Sequence, residues 1–244
     1  VDMGGLTNYW YLYNEKEASY DFISRLTGAR LTSSFTRIGG MYRDFYEGWE
    51  TDMENQLRSI EKGVNDSLKL VLKNRIVHDR TQNVCVMPAD LALSYGYTGP
   101  CLRASGVPFD LRKDNPYYYY DAFDFSIPLG SKGDIYDRVM IRYEEIFQSI
   151  SIIRQAMKML PKGPVTISNN AVTLPPKTEV YKNIEGLASH FKLVFEGVKV
   201  PAGEWYDSFE AANGELGFYF VSDGSGRPYK CKDPTRRWQI GRAH

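Results

Sequence analysis

Asp2 stands just ahead of a helical pattern in which Tyr9 and Tyr13 follow four residues apart. A carboxylate at such a position is by default a helix N-cap, accepting from the free amides of the first turn. Two tyrosines at that spacing share one helical face. They form either a core-filling stripe or, through their ring faces, a wall for a flat apolar ligand, and periodicity alone weighs the two about equally. Arg103, Arg112 and Arg138 each lie close to Gly or Asp. Their planar forks suit fixed carboxylate pairs or contacts to a partner chain, and internal salt bridges are the safer expectation. His78 and His190 read as structural, and Cys85, Cys101 and Cys231 read as buried small side chains.

The usual signatures of an independent active site are missing. There is no G-x-x-x-x-G-K-[ST], G-x-S-x-G, H-E-x-x-H or C-x-x-C pattern. Three scattered histidines and three scattered cysteines supply no metal-ligand spacing, so no metal site and no resident cofactor is expected.

The elements that must position these residues are mostly helical. A stretch without Gly or Pro over residues 9–27 ends at Gly28, a suitable left-handed cap. Apolar residues from Phe45 to Val71 recur at steps of three or four, predicting a long amphipathic helix over 42–73. A short helix is expected after Pro88, and residues 98–133 read as a long irregular loop. The clearest helix runs from Tyr136 to Leu160, where Pro161 stops it. A fourth is expected over 180–195, then a hairpin with strands at 215–221 and 227–232. The fold class is α+β, mainly α: a helical bundle with a small antiparallel sheet.

Composition narrows the function. Thirty Lys+Arg balance thirty Asp+Glu across 244 residues, so no net positive field draws the chain to nucleic acid. The longest apolar run, residues 9–13, is far below the ~20 residues of a membrane-spanning helix. Eighteen Tyr with twelve Phe and four Trp form an aromatic excess suited to core edges, interfaces and apolar pockets. Residue 1 is Val, and the chain is expected to be the interior of something longer; residues 233–244 lose both hydrophobic periodicities and are expected to be an artefactual tail beyond a domain at 1–232.

Five blocks carry a family resemblance: Asp2-Met3-Gly4-Gly5-Leu6-Thr7, Thr36-Arg37-Ile38-Gly39-Gly40, Leu102-Arg103-Ala104-Ser105-Gly106, Asp110-Leu111-Arg112-Lys113 with Pro116-Tyr117 and Tyr120-Asp121, and Gly130-Ser131-Lys132-Gly133-Asp134-Ile135-Tyr136-Asp137-Arg138. Downstream, His190-Phe191-Lys192, Glu196-Gly197 and Val221-Ser222-Asp223-Gly224 continue the pattern. In this order they resemble the large quinone-site subunit of NADH-quinone oxidoreductase, the respiratory complex I.

The resemblance implies a fold like the large subunit of nickel-iron hydrogenases. It implies a role in quinone reduction, with electrons arriving from an iron-sulfur cluster in a neighbouring subunit and driving proton pumping in a membrane arm. Asp2 would then be catalytic, balancing the charge of a head-group histidine that lies outside this chain, and Tyr9 and Tyr13 would line the quinone chamber. Quinone is the substrate, the other complex I subunits are the partners, and this chain binds no cofactor of its own. It would sit peripherally on the cytoplasmic side of a bacterial membrane, or the matrix side of a mitochondrial one. The rivals are a membrane-bound nickel-iron hydrogenase large subunit, which would need paired cysteines outside this chain, and a non-catalytic assembly or scaffold homologue.

Overall fold

The computed structural model describes residues 5–232; Asp2 and residues 233–244 lie outside the described residues. Helix α1 spans Leu6–Thr27 and ends as expected on Gly28, whose φ of 84° gives the left-handed turn and whose amide donates to the Ser24 carbonyl at 2.8 Å. Two short strands, β1 (Thr36–Arg37) and β2 (Gly40–Met41), pair antiparallel ahead of helix α2, Trp49–Leu72. The start of α2 falls later than the expected residue 42. Gly48, at φ 83°, stops the helix from extending back, and Phe45 instead stacks on Trp49 at 4.2 Å across the turn.

Helix α3 (Arg75–Thr81) is capped by Asn74, whose side chain accepts from the Ile76 amide, and α4 (Ala89–Ser94) follows Pro88 as expected. Residues 98–133, expected to be irregular, contain α5 (Gly99–Ala104), α6 (Leu111–Asp114) and one 3-10 turn (Tyr120–Ala122). These pieces are too short for periodicity to reveal. Gly99 holds α5 in place: its φ is 62° and a Cβ there would lie 2.3 Å from Gly214 Cα, while the Glu215 amide donates to Thr98 Oγ1 at 3.1 Å.

Helix α7, Ile135–Met159, is the longest of the described helices, and Asp134 caps it by accepting from the Asp137 amide at 2.8 Å. The single helix expected over 180–195 is two: α8 (Lys177–Lys182) and α9 (Ile184–Phe195), broken at Asn183, whose backbone is extended. Strands β3 (Gly203–Ala211), β4 (Gly214–Ser222) and β5 (Lys230–Lys232) form an antiparallel sheet in that order. The hairpin β4–β5 matches expectation, and β3 is an additional strand on its other edge.

Val64 and Val71 of α2 and Tyr143 of α7 form a buried cluster on which Leu12, Val77, Val139 and Phe147 pack. Burial of such aliphatic and aromatic groups contributes about 1.5–3 kcal/mol per side chain, so the α1–α2–α7 contact anchors the fold. The three cysteines depart from expectation: Cys85 and Cys231 are exposed and Cys101 is only partly covered.

Candidate functional site

Where α1 begins, its first turn meets the C-terminal end of α2, all of α3 and the first turns of α7. Between them lies a cavity of about 430 Å³ lined by Gly5, Thr7, Asn8, Val77, Tyr136 and Tyr143, among others. Leu70, Val71, Ile76 and Val139 make much of its wall apolar, and Asn8, Asn74 and the tyrosines place polar groups among them. An apolar surround with a few oriented polar groups is the usual construction of a small-molecule site.

The polar groups are held by a short relay. Ser67, fully buried on α2, has one hydroxyl hydrogen and donates it to Asn8 Oδ1, so Tyr143, 2.7 Å away, is the donor to Ser67 Oγ. The chain Tyr143 to Ser67 to Asn8 thus ties α7, α2 and α1 together at the cavity wall. His78, on α3, is also fixed: Nε2 lies 2.9 Å from the Leu72 carbonyl, and Nδ1 lies 3.0 Å from the Gln82 amide nitrogen. The backbone carbonyl accepts from Nε2–H, and the two contacts together fix the plane of the ring. The ring packs 5.2 Å from Tyr136, so His78 supports the cavity wall.

Tyr9 and Tyr13 do share one face, with ring centroids 5.5 Å apart, but neither lines this cavity. Trp10 stands edge-on to both, at 5.4 and 5.6 Å, and the Lys16 ammonium sits 5.0 Å from the Tyr13 ring. Tyr9 is 43% exposed and Trp10 55%, so the three rings form an open aromatic patch on the outer side of α1. Thr7 and Asn8 line the cavity while Tyr9 and Tyr13 flank it.

The three arginines are placed elsewhere. Arg103 is 1% exposed; its Nε and Nη2 donate to Glu145 at 2.9 and 2.6 Å, and its Nη1 to the Phe109 carbonyl at 2.9 Å. Arg112 forks onto Asp110 at 3.0 and 2.6 Å and covers the Phe125 ring at 5.0 Å. Burial acts to raise the Asp110 pKa, but the hydrogen bonds and charge of Arg112, with Arg103 behind it, outweigh that and hold it low. Arg138 grips the carbonyls of Cys85 and Gly133, each at 2.8 Å, fastening the 83–87 segment to the start of α7.

Sequence reasoning misses Asn8, Ser67, Tyr136 and Tyr143 as site residues. The available signal is a small polar residue set inside an apolar stripe: Ser67 lies between Val64 and Val71, the positions that bury α2. Among the described residues no group of His, Cys, Asp and Glu is placed to hold a metal ion, and no helix is long and apolar enough to cross a membrane.

Helices laid around the α2–α7 contact, with both sheets at the margin, make this a mainly α member of the α+β class, consistent with the nickel-iron hydrogenase large-subunit fold. The family model described as "Respiratory-chain NADH dehydrogenase, 49 Kd subunit" matches residues 2–239, and the chain belongs to that family. The match runs past residue 232, the boundary expected for the domain.

The chain is 51% identical over 230 residues to the D-type subunit of NADH-quinone oxidoreductase from Myxococcus xanthus, covering 94% of this chain and 55% of that protein. It is 50% identical over 232 residues to the C/D-type subunit of NADH-quinone oxidoreductase from Bdellovibrio bacteriovorus, covering 95% and 41%. With the D-type subunit of Leptospira biflexa it shares 44% identity over 230 residues, 94% of this chain and 57% of that one. The chain spans about half the length of the curated relatives it matches.

Proposed function

We propose that the chain forms part of the quinone-reduction site of a proton-pumping NADH:quinone oxidoreductase, beside a partner subunit that carries the terminal iron-sulfur cluster. The observation that carries this reading is the apolar cavity at the opening of α1, walled by Thr7, Asn8, Tyr136 and Tyr143 in a chain of this family. The names of the relatives favour a quinone substrate over the hydrogenase alternative.

In this reading the relay through Ser67 holds the Asn8 amide in position at the cavity wall, while the apolar wall accommodates a flat ring and keeps water out. Quinone reduction takes up two protons with two electrons. Asp2 is three residues before Gly5, a cavity-lining residue, and three residues of chain span at most ~11 Å. Its carboxylate would balance a neighbouring imidazolium and so sustain proton delivery once electrons arrive. Tyr9 and Tyr13, with Trp10, would furnish a further aromatic wall, completed by another chain or another part of the same protein. The subunit would assemble peripherally on the cytoplasmic face of a bacterial membrane, or the matrix face of a mitochondrial one, through its partners, and would take electrons from the partner's cluster without a redox group of its own.

Asp2→Asn in the complete subunit within its complex tests the role. Quinone reductase turnover should fall while electron flow from NADH to an artificial upstream acceptor stays intact, because Asn keeps the size of the side chain but loses the charge. Helix α1 takes Gly5 as its N-cap, so the expected capping role does not fall to Asp2, and unchanged quinone turnover at normal complex abundance would remove Asp2 from the reaction.

A further inference from the structure

A second site lies further along α7, where side chains of α5, α6, α7 and β3 converge on Arg103. Two guanidiniums, Arg103 and Arg112, face three carboxylates, Asp110, Glu145 and Glu210. Arg112 is committed to Asp110 through two hydrogen bonds, and Arg103 gives its Nε and Nη2 to Glu145 and its Nη1 to a backbone carbonyl. Glu210 is what remains. Its side chain is 4% exposed, and although Oε1 lies 2.9 Å from Arg103 Nη2, neither carboxylate oxygen is well aligned to accept a hydrogen bond. Its directly opposed partner across the sheet is another carboxylate, Glu215, which accepts from the Tyr206 hydroxyl at 2.6 Å.

Three buried or half-buried carboxylates around two guanidiniums leave one negative charge in excess, and Glu210, beside Arg103 without a well-aligned hydrogen bond and directly opposite Glu215, is the group that sheds this cost by taking up a proton. A groove of about 570 Å³ runs alongside, lined by Arg103, Arg112, Tyr120, Arg142, Glu145 and Glu210 among others, and connects the cluster to solvent. Tyr117, the remaining titratable neighbour, accepts from the Glu210 amide and not from its carboxyl.

We propose that Glu210 is a buried proton-binding site, a neutral carboxylic acid at neutral pH that exchanges its one proton with water through the groove beside Arg142. Protonation removes the excess negative charge and leaves two guanidiniums, Arg103 and Arg112, against two carboxylates, Asp110 and Glu145, in the Arg103 cluster. Burial pushes the Glu210 carboxyl up and Asp110 adds to the rise, against the opposing pull of Arg103 and of the Leu111 backbone. The assignment rests on the geometry of this cluster and does not depend on the quinone reading.

Infrared spectroscopy of the complete chain in light and heavy water tests it. At pH 7, well above the ~4.3 of an ordinary glutamate, the spectrum should hold a carboxylic-acid C=O band that shifts on deuteration and is absent in Glu210→Gln. Glu145→Gln gives a second test that keeps Glu210 in place: it removes a negative charge and frees Arg103 donors, so the band should be lost at pH 7. No acid band at pH 7, a band that survives Glu210→Gln, or one unchanged in Glu145→Gln would overturn the assignment.

Discussion

The two halves of α7 are held by different physics. Toward its start, Tyr136, Val139 and Tyr143 face an apolar cavity, and Tyr143 is joined to α2 by a neutral hydrogen bond to Ser67. At Glu145 the helix is tied to Arg103 of α5, the hub of a buried network that reaches Asp110 and Arg112 at the start of α6 and Glu210 of β3. Neutral, sparse bonding leaves room for a ligand and places a few polar atoms at its edge. The charged network commits the buried Arg103 guanidinium to protein partners although a groove of about 570 Å³ passes it, so the part of α7 that meets Arg103 acts as the frame and the part bearing Tyr136 and Tyr143 as the receiver.

Removing the hub of the frame should have the largest effect. Arg103→Met leaves the carboxylates of Asp110 and Glu145 without their shared cation, at a cost of about 3–5 kcal/mol. The urea midpoint of the variant should drop steeply; a midpoint near the parent's would mean that the carboxylates relax to solvent and the frame is not electrostatic.

On the receiving side Tyr143→Phe should cost less, about 1 kcal/mol, because it removes one neutral hydrogen bond and keeps the buried ring. Ser67 then keeps its bond to Asn8, so the loss is confined to the α7 end of the relay. Chemical denaturation reads the difference, and a loss as large as that of Arg103→Met would erase the contrast between the halves.

Smallest is Tyr9→Ala. The ring is 43% exposed and packs mainly on Trp10 and Tyr13, so isolated-chain stability should change by no more than about 0.5 kcal/mol. In the assembled complex the same variant should raise the KM for quinone. A stability loss above about 1 kcal/mol, on the order of a buried core substitution, would assign Tyr9 to the frame.

What sequence reveals divides along the same line. The start and end of α7 are readable because Asp134 and Pro161 bracket one unbroken apolar period, and α1 because Gly28 closes it. The shared face of Tyr9 and Tyr13 follows from helical spacing alone. Arg103 is recognisable as an ion-pair residue, but its partners Glu145 and Glu210 lie far along the chain and are brought to it only by the fold. The cavity is equally hidden, since Asn8, Ser67 and Tyr143 become one wall only when α1, α2 and α7 pack. Cys85 and Cys231 mislead because small apolar character suggests burial, whereas both sit exposed at the margin.

The most direct test of the quinone reading is covalent. A photoreactive short-chain quinone, bound to the complex and illuminated, should label residues that line the cavity at the opening of α1, namely those of 5–8, 74–81 and 136–143. Excess unlabelled quinone should suppress that labelling. Labelling confined to other parts of this chain or to the partner subunits, with these three segments unmodified, would contradict the account.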